Sequence, residues 1–278
     1  MKSLISAAMS AALLLPLLCC RPSANAPQLA VISSARIHGD DSVLVFSPKG
    51  KERLRELPTL FLLHGFGGGF RDWSQNTDLQ ALSDNYGFRF VCPDGFPKSW
   101  YFNDSDTSSM QWRSFFWEDL YPYVASRYGL SPDKTFIDGL SMGGHGAMNI
   151  FLDHPELFKA AGSMSGILDL RHSGGSREII PGILGAGSID DEICVRESAV
   201  NRLGRIRDVG AEGKLMIVSC GTKDKFLPST EIFEERCRKE GLRCIAIYSP
   251  AAHRWSYWKW ALPHHLDFFR EELQGVSR

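Results

Sequence analysis

Short runs of β-forming residues alternate along the chain with longer segments in which apolar residues recur at helical spacing. This alternation is typical of parallel strands joined by crossover helices, so it predicts an α/β fold with a mostly parallel central sheet flanked by helices. We predict strands at residues 43–46, 59–63, 89–92, 136–138, 160–163, 215–219 and 244–248, and two late helices at residues 228–239 and 256–272.

Two features interrupt this pattern. Pro122 and Pro263 fall within otherwise helical segments, where proline removes a hydrogen-bond donor, so we expect kinks or early helix ends there. Residues 168–213 have weaker periodicity and several glycines, and we interpret them as an insertion rather than a second domain. The pattern therefore predicts one domain over residues 27–278.

Residues 1–26 have a different character. A positive residue precedes an uncharged, leucine-rich stretch over residues 3–20, as in a secretory signal; a membrane-spanning helix is the alternative, because the stretch is near the minimum length for crossing a bilayer. Cleavage after Ala26 would release the chain, whereas lipid modification at Cys19 or Cys20 would anchor it. We expect a signal peptide or lipoprotein signal, and an exported protein that is periplasmic, secreted or a cell-surface lipoprotein.

Composition and charge exclude several classes of function. The chain has 278 residues, with 31 Lys and Arg against 32 Asp and Glu, and 44% of its residues are hydrophobic. The hydrophobic fraction excludes an intrinsically disordered chain, and the lack of a basic block disfavours nucleic-acid binding. No cysteines have the C-x-x-C spacing of a structural zinc site, so no zinc is expected.

The cysteines leave one question open. Removal of residues 1–26 would leave five cysteines, and an odd number leaves at least one thiol free in an oxidising compartment. Cys237 and Cys244 are the only two of these that lie close in sequence. They either form a disulfide or remain as buried free thiols. Cys92 and Cys220 end strand-like runs and are expected in the core.

The segment around Ser141 carries a chemical motif. Residues 139–143 form a G-x-S-x-G pattern with a predicted strand before it and a helix-like segment after it. This is the context of a nucleophile elbow, in which Gly139 and Gly143 would let neighbouring backbones approach the serine closely. An ordinary glycine-rich turn is the alternative, but the flanking elements and the partner residues below favour a nucleophile.

A second glycine-rich segment, residues 64–69, follows the predicted strand at 59–63. Acyl transfer needs two N–H donors directed at the oxyanion, one from the residue after the nucleophile and one from an early strand-to-helix loop. The backbone N–H groups of Met142 and Phe66 are our candidates. A phosphate-binding loop is disfavoured because no Gly-Lys-Ser/Thr follows. We expect His64 to anchor the loop.

A catalytic serine needs a histidine that accepts its proton and an acid that orients the histidine. In the fold that carries the elbow motif these partners follow in the order Ser, Asp or Glu, His, each at the carboxyl end of a strand. Asp224 follows the predicted strand at 215–219, and His253 follows the one at 244–248. We therefore predict Asp224 as the acid and His253 as the base.

Other residues are alternatives for these roles. His145 lies on the helix after the elbow and is expected to point away from the position of the base. Asp94 ends a strand but precedes the serine, which indicates a structural turn. The remaining histidines considered are expected at the surface or in packing positions: His154, His172, His264 and His265.

These motifs together resemble the esterase D and tributyrin-esterase superfamily, which includes S-formylglutathione hydrolases, acetyl xylan and feruloyl esterases, and mycolyltransferases of the antigen-85 type. The resemblance covers roughly residues 43–269. It rests on residues 64–66 with Trp73, 93–95, 99–101, 139–147, 220–222 before Asp224, and His253 followed by Trp255 and Trp258.

The resemblance implies a single-domain α/β-hydrolase with Ser141 as nucleophile, Asp224 as acid, His253 as base, and backbone donors at Phe66 and Met142. The chain departs from the superfamily at residues 67–69, where relatives often have more polar residues. It departs again at residues 251–252, where a glycine commonly precedes the histidine. Neither departure removes a catalytic group, although both could reshape the pocket.

Within the superfamily we predict an exported serine carboxylesterase that hydrolyses short-chain or carbohydrate-linked acyl esters of acetyl or feruloyl type through an acyl-enzyme. One alternative is a thioesterase like S-formylglutathione hydrolase, which the export signal and Leu140 disfavour. The other is an acyltransferase or a binding protein on the same fold; loss of catalysis would be expected to remove a triad member, and none is missing.

The expected partner is a small-molecule or carbohydrate ester, and the chemistry needs no metal or cofactor. Trp100, Tyr101 and Phe102 follow a strand end near the predicted site and are predicted to form the pocket wall, because aromatic faces pack well on sugars and feruloyl rings. Packing in the core is the alternative for this segment. The sequence gives neither the preferred acyl group nor the oligomeric state.

Overall fold

Eight strands form one central sheet in the computed structural model, which describes residues 27–50 and 54–275. The strands are β1 (Gln28–Ser34), β2 (Gly39–Phe46), β3 (Thr59–Leu63), β4 (Arg89–Cys92), β5 (Thr135–Gly139), β6 (Ala160–Met164), β7 (Leu215–Gly221) and β8 (Cys244–Ser249). Their order across the sheet is β1-β2-β4-β3-β5-β6-β7-β8. All neighbours from β4 to β8 are parallel, whereas β2 pairs antiparallel with both β1 and β4. The α/β prediction is confirmed.

The structure contains the seven predicted strands and adds β1. This strand was missed because apolar residues lie on both of its faces: Ala30 and Ile32 are buried, while Leu29 and Val31 are more than half exposed. An apolar run of this kind hides the two-residue period that marks a strand. The signal predicted at residues 1–26 lies outside the described residues.

Helices cover both faces of the sheet. They are α1 (Asp72–Asn76), α2 (Leu79–Tyr86), α3 (Trp112–Phe115), α4 (Tyr121–Tyr128), α5 (Met142–Asp153), α6 (Ile179–Leu184), α7 (Glu192–Glu197), α8 (Gly204–Asp208), α9 (Leu227–Glu240) and α10 (Trp255–Gln274). In the described residues, no helix is both long enough and apolar enough to span a membrane.

The two prolines behave differently from each other. Pro122 lies in the first turn of α4, directly after a π-helical stretch at Phe116–Leu120, where its missing N–H is least costly. Pro263 lies inside α10, which continues to Gln274, so of the two expected outcomes the early helix end is wrong and the kink stays a prediction. A helix of 20 residues that packs along the sheet retains its other hydrogen bonds when one is lost.

The sheet separates two apolar layers. One contains Met148 and Phe151 of α5, and the other contains Leu262 and Leu266 of α10. Successive residues of β5 follow the alternation of a strand, since Phe136 belongs to the α10 layer and Ile137 to the α5 layer.

Residues 168–213 connect β6 to β7 through short helices, α6 to α8, and 3-10 turns. Their weak periodicity in the sequence reflects these short elements, none of which is longer than six residues. Their interpretation as an insertion, and the domain bounds at 27 and 278, stay predictions.

Candidate active site

Ser141 lies on a sharp turn between β5 and α5. Its backbone has φ 53° and ψ −119°, a strained conformation for a residue other than glycine. The Ser141 N–H donates to the carbonyl oxygen of Met164 at 2.8 Å, which ties the turn to the end of β6. The turn therefore holds the serine at the carboxyl edge of the parallel strands.

Gly139 and Gly143 make this turn sterically feasible, as the motif predicts. A Cβ on Gly139 would lie 2.4 Å from the carbonyl oxygen of Gly143. A Cβ on Gly143 would lie 2.5 Å from the carbonyl oxygens of Leu63 and His64. Because real side chains do not approach backbone oxygens so closely, both positions require glycine.

Ser141, His253 and Asp224 form one hydrogen-bonded chain. His253 Nε2 lies 2.9 Å from Ser141 Oγ, and His253 Nδ1 lies 2.8 Å from Asp224 Oδ2. An ionised carboxylate can only accept, so Nδ1 donates to Asp224 and Nε2 is left to accept the serine proton. The fold thus brings together the three residues that the sequence singled out, in the geometry of nucleophile, base and orienting acid.

Additional groups hold the Asp224 carboxylate. Asp224 Oδ1 accepts the Phe226 N–H at 2.9 Å, and the Ser165 hydroxyl also hydrogen-bonds to the carboxylate. Burial raises the pKa of Asp224, but the hydrogen bonds from His253 and Phe226 outweigh burial and hold this pKa below its ordinary value. Asp224 is therefore ionised at neutral pH. Ser165 was not predicted; its place directly after β6, at the same edge of the sheet, is the signal that could have identified it.

Two aromatic side chains fix the plane of the His253 ring. The ring centroids of Phe226 and Trp258 lie 4.8 Å and 4.9 Å from that of His253, and both contacts are nearly perpendicular. Such edge-to-face contacts resist rotation of the imidazole. The Trp258 Nε1–H also donates to the Ser165 hydroxyl at 3.3 Å, which connects this packing to the Asp224 side.

Two backbone N–H groups next to Ser141 lack a partner. In the described part of the chain, the N–H groups of Phe66 and Met142 donate to no protein acceptor, whereas Gly67 donates to the carbonyl of Pro97 at 2.7 Å. Met142 is the first residue of α5, so its N–H lies at the positive end of the helix dipole. Phe66 lines the same pocket as Ser141. Both N–H groups are free to bind an oxyanion.

His64 supports the loop that carries Phe66. Its Nε2 accepts the Gly95 N–H at 2.7 Å, so its proton is on Nδ1, which donates to the Gly65 carbonyl at 2.8 Å. The Tyr101 hydroxyl in turn donates to the His64 carbonyl at 2.8 Å. These contacts give His64 the anchoring place that the sequence predicts.

The other candidates for acid and base lie elsewhere. His145 is fully buried and its Nδ1 lies 3.0 Å from the Ile167 carbonyl; burial lowers the pKa of His145 to about 3. Asp94 accepts the Phe96 N–H at 2.8 Å within a turn. The hydrogen bond of the His145 ring is made to Ile167 and not to Ser141, and Asp94 has the turn contact that the sequence predicts.

A pocket of about 430 Å³ opens beside Ser141. Five aromatic side chains line it: Phe66, Trp100, Phe226, Trp255 and Trp258. Residues 168–213 contribute further lining, including Ser173, Ser176 and Ile179, and two charged residues, Asp72 and Lys225, complete it. Phe66, Trp100 and the two tryptophans after His253 lie within sequence motifs. The other lining residues named here have no motif in the sequence that could identify them: Asp72, Ser173, Ser176, Ile179, Lys225 and Phe226.

The predicted aromatic wall needs correction, because only Trp100 of its three residues lines this pocket. Phe102 lines a neighbouring cavity of about 490 Å³. Tyr101 is 2% exposed, and its ring fills the space beside Gly95 and Gly146, where a Cβ would overlap it. Trp100 and Tyr101 both have positive φ, and this local backbone path turns Tyr101 into the core.

A buried aspartate lies behind the His64 loop. Asp41 has 0% exposure, and one of its oxygens accepts the Asp94 N–H at 3.2 Å. Burial raises the pKa of Asp41 to about 8; the Asp94 N–H opposes this shift and the Asp94 carboxylate adds to it. Asp41 is therefore largely protonated in the native protein at neutral pH.

All five cysteines of the described residues are free thiols. Cys92 and Cys220 are buried, as predicted. The side chains of Cys237 and Cys244 hydrogen-bond to each other, and this contact together with burial raises the pKa of Cys237. Across residues 27–50 and 54–275, no cluster of three His, Cys, Asp or Glu side chains is arranged to hold a metal ion.

Two curated relatives share part of this sequence. The chain is 24% identical over 214 residues to an acetyl esterase of Caldicellulosiruptor saccharolyticus, a match that covers 73% of this chain and 79% of the relative. It is 29% identical over 133 residues to the MPT51 antigen of Mycobacterium leprae, covering 47% of this chain and 44% of that protein. The chain thus spans less than half the length of the mycobacterial relative.

Solved structures share the fold. A ferulic acid esterase superposes with a TM-score of 0.75 at 23% identity, covering 89% of this chain and 98% of that one. An S-formylglutathione hydrolase from Staphylococcus aureus superposes with a TM-score of 0.69 at 20% identity, covering 88% and 98%. At such identities the likeness concerns the fold alone.

The sequence model of one family, described as "Putative esterase", matches residues 34–269. This match includes β2 to β8 and every residue of the hydrogen-bonded chain at Ser141. The protein therefore belongs to the esterase family and has an α/β-hydrolase fold.

Proposed function

We propose that the protein is a serine carboxylesterase in which Ser141 is the nucleophile, His253 the general base and Asp224 the orienting acid. One observation carries the proposal: the hydrogen-bonded chain from Ser141 through His253 to Asp224, with distances of 2.9 and 2.8 Å, ends at a serine on a strained turn. The N–H groups of Phe66 and Met142 have no acceptor among the described residues. Met142 directly follows Ser141, and Phe66 lines the same pocket.

Each group has a defined task in this mechanism. His253 Nε2 takes the Ser141 proton while Oγ attacks the ester carbonyl carbon, and the negative charge that develops on the carbonyl oxygen is bound by the N–H groups of Phe66 and Met142. Asp224 stabilises the imidazolium. One such oxyanion donor typically contributes about 3 kcal/mol to transition-state stabilisation.

The intermediate then collapses to an acyl-enzyme. The imidazolium of His253 gives its proton to the leaving alkoxide, so the alcohol departs and the acyl group stays on Ser141 Oγ. A water molecule, deprotonated by the same Nε2, attacks the acyl carbon. Collapse of the second tetrahedral intermediate breaks the acyl–Oγ bond, His253 returns the proton to Ser141, and the carboxylic acid leaves. The net reaction consumes one ester and one water and yields one alcohol and one carboxylic acid.

Replacement of the nucleophile tests the assignment. Ser141→Ala is expected to lower kcat for p-nitrophenyl acetate by roughly 10⁴-fold to 10⁶-fold, because the triad acts as a unit. Ser126→Ala, at an exposed serine of α4, is the matched control and should keep full activity. Full activity of Ser141→Ala would sink the assignment.

For the substrate we propose acyl esters of acetyl or feruloyl type, short-chain or attached to carbohydrate. The aromatic lining of the pocket supports this proposal, since Trp255, Trp258 and Phe226 offer flat apolar faces to a ring or a methyl group. A volume of about 430 Å³ falls within the usual range of small-molecule sites. The relatives named for acetyl and ferulic acid esters point the same way.

A substrate panel separates this proposal from its alternatives. The four substrates are acetylated xylan, methyl ferulate, tributyrin and S-formylglutathione, compared by kcat/KM. The highest kcat/KM for acetylated xylan or methyl ferulate would support the proposal. Activity confined to S-formylglutathione would indicate a thioesterase instead. The same assays with an added sugar acceptor test the acyltransferase alternative. An ester of that sugar as the main product would show that acyl transfer outcompetes hydrolysis.

We also propose that the protein is exported, on the sequence of residues 1–26. Mass spectrometry of the N-terminus of protein purified from its own cells tests this: cleavage after Ala26 supports release, and a diacylglyceryl group on Cys19 or Cys20 supports anchoring. An intact N-terminus in the cytosolic fraction would contradict export.

A further inference from the structure

A second chain of carboxylate, imidazole and hydroxyl lies inside the protein, outside the pocket. His265 Nδ1 lies 2.7 Å from Asp138 Oδ2, and His265 Nε2 lies 2.8 Å from Ser219 Oγ. All three residues have 0% exposure, so substrate cannot reach this hydroxyl and the trio is not a second hydrolytic site. We call Asp138, Ser219 and His265 the buried network.

The residues of the buried network lie in a layer that is otherwise apolar. On β5, Asp138 shares a sheet face with Phe136, which belongs to the layer under α10, and Leu140 directly after β5 belongs to the same layer. On β7, Ser219 shares that face with Ile217. Polar groups at such positions lose their hydration, a loss that hydrogen bonds offset only in part. Stability alone is therefore a weak reason for their presence.

The surroundings of Asp138 fit its carboxylate closely. On the neighbouring strand β6, a Cβ on Gly162 would lie 2.4 Å from Asp138 Cγ, so glycine there leaves the space that the carboxylate fills. The other oxygen, Asp138 Oδ1, accepts the N–H of Gly139 at 2.7 Å. Gly139 is the first residue of the elbow motif, so the network contacts the backbone that leads to the nucleophile.

Each member of the network shares a segment with one member of the proposed triad. The pairs are Asp138 with Ser141 on β5 and its turn, Ser219 with Asp224 on β7 and its loop, and His265 with His253 at α10 and the loop before it. The two hydrogen bonds of His265 therefore connect the three segments that carry nucleophile, acid and base.

We propose that Asp138, Ser219 and His265 are positioning residues, which fix α10 relative to β5 and β7 and thereby set the distances within the triad. The proposal rests on the proposed function of Ser141, Asp224 and His253. Apolar burial is non-directional, whereas hydrogen bonds at 2.7 and 2.8 Å require specific atoms of α10, β5 and β7 to lie opposite one another. A misplacement of reacting groups by about 1 Å can lower a rate by roughly 10²-fold.

The test removes both partners of the Asp138–His265 hydrogen bond together, so that neither is left without the other. The double variant Asp138→Ala, His265→Leu replaces the carboxyl group and the imidazole by apolar side chains, a kind of change that buried polar pairs often tolerate in stability. For p-nitrophenyl acetate, and per active site titrated with an organophosphonate, we expect kcat at least tenfold lower and KM within about twofold of the wild-type value. His264→Leu, on the same helix but outside the network, should keep the wild-type kcat.

Two results would overturn the proposal. One is a folded double variant with wild-type kcat, which would make the network purely structural. The other is a loss that resides in KM alone. If the wild-type enzyme is active in the same assay, either result contradicts the proposal about the network and leaves the proposed function intact. A wild-type enzyme without esterase activity would contradict the proposed function instead.

A milder variant keeps the test decisive if the double variant does not fold. Ser219→Ala removes one hydroxyl and leaves the pair of Asp138 and His265 intact. We expect kcat to fall at least threefold at constant KM, and Ser219→Thr, which restores the hydroxyl, to recover most of it. A folded Ser219→Ala enzyme with unchanged kcat would overturn the proposal.

Discussion

The two ring nitrogens of His253 have different partners and, in the proposed mechanism, different tasks. Nδ1 donates to Asp224 at 2.8 Å, which leaves Nε2 as the acceptor that faces Ser141 at 2.9 Å. The chemistry therefore depends on the tautomer of the imidazole as well as on the identity of the residues. Replacement of the Asp224 carboxylate by an amide tests this dependence.

Asp224→Asn is expected to lower kcat for p-nitrophenyl acetate by about 10⁴-fold, because an amide NH₂ opposite Nδ1 favours the tautomer whose Nε2 carries the proton. The melting temperature shows whether the fold is kept. Asp208→Asn, at an exposed aspartate of α8, serves as control. A kcat of Asp224→Asn within tenfold of wild type would remove Asp224 from the role of orienting acid.

For single residues, the sequence predicts the role of those that lie in a motif or follow a strand in the expected order. It does not predict the role of residues whose position depends on the path of a loop. Ser141, Asp224 and His253 each follow a strand in the order that the fold requires. Tyr101 gave no such signal, because its burial results from the positive φ of two adjacent residues. Ser165 contacts Asp224 across 59 residues of sequence, a proximity that only the pairing of β6 with β7 creates.

Among the elements, the first turn of α5 packs directly against the end of β3. Gly143 in that turn lies against the carbonyl groups of Leu63 and His64, and the loop after β3 carries the Phe66 N–H. The turn that carries the nucleophile and the start of the loop that carries the Phe66 N–H are therefore in direct backbone contact.

Gly143→Ala is expected to lower kcat at least tenfold, because its Cβ would lie 2.5 Å from two backbone oxygens and must push α5 away from β3. The matched control is Gly182→Ala in α6, where a Cβ meets nothing within 4 Å; it should keep activity and gain about 0.4–1 kcal/mol of stability. Both are measured by ester hydrolysis and thermal unfolding. Equal behaviour of the two variants would show that the contact has no role in the site.

Element types could be predicted better than element ends. The parallel strands have continuous apolar runs bounded by turns, and their bounds agree with the structure within a few residues. β1 was hidden because both of its faces carry apolar residues, and α10 continues past Pro263 because its contacts with the sheet, made by Leu262 and Leu266, lie on both sides of the proline.

For the molecule as a whole, one buried carboxyl group couples stability to pH. In the native state the pKa of Asp41 is raised to about 8, whereas in the unfolded chain this group ionises near its ordinary value of 3.8. Between these values the native state holds a proton that the unfolded chain releases, so the contribution of Asp41 to stability falls as the pH rises.

We therefore expect the melting temperature of the wild-type protein to fall, relative to that of Asp41→Asn, as the pH is raised from 5 to 8. Above about pH 8 the difference should level off, since Asp41 is then ionised in both states. Thermal unfolding of both proteins across this range is the measurement. Parallel pH curves for the two proteins would show that Asp41 is ionised in the native state already at pH 5.

The sheet order also determines when a site can exist at all. Among the described residues, β8 is the last strand in chain order and lies at one edge of the sheet, and His253 lies in the loop that follows it. A folding intermediate in which β8 has not yet joined the sheet would hold the serine without its base. With the proposed roles, the return of hydrolysis during refolding would report the docking of β8 and of α10, the helix that follows it.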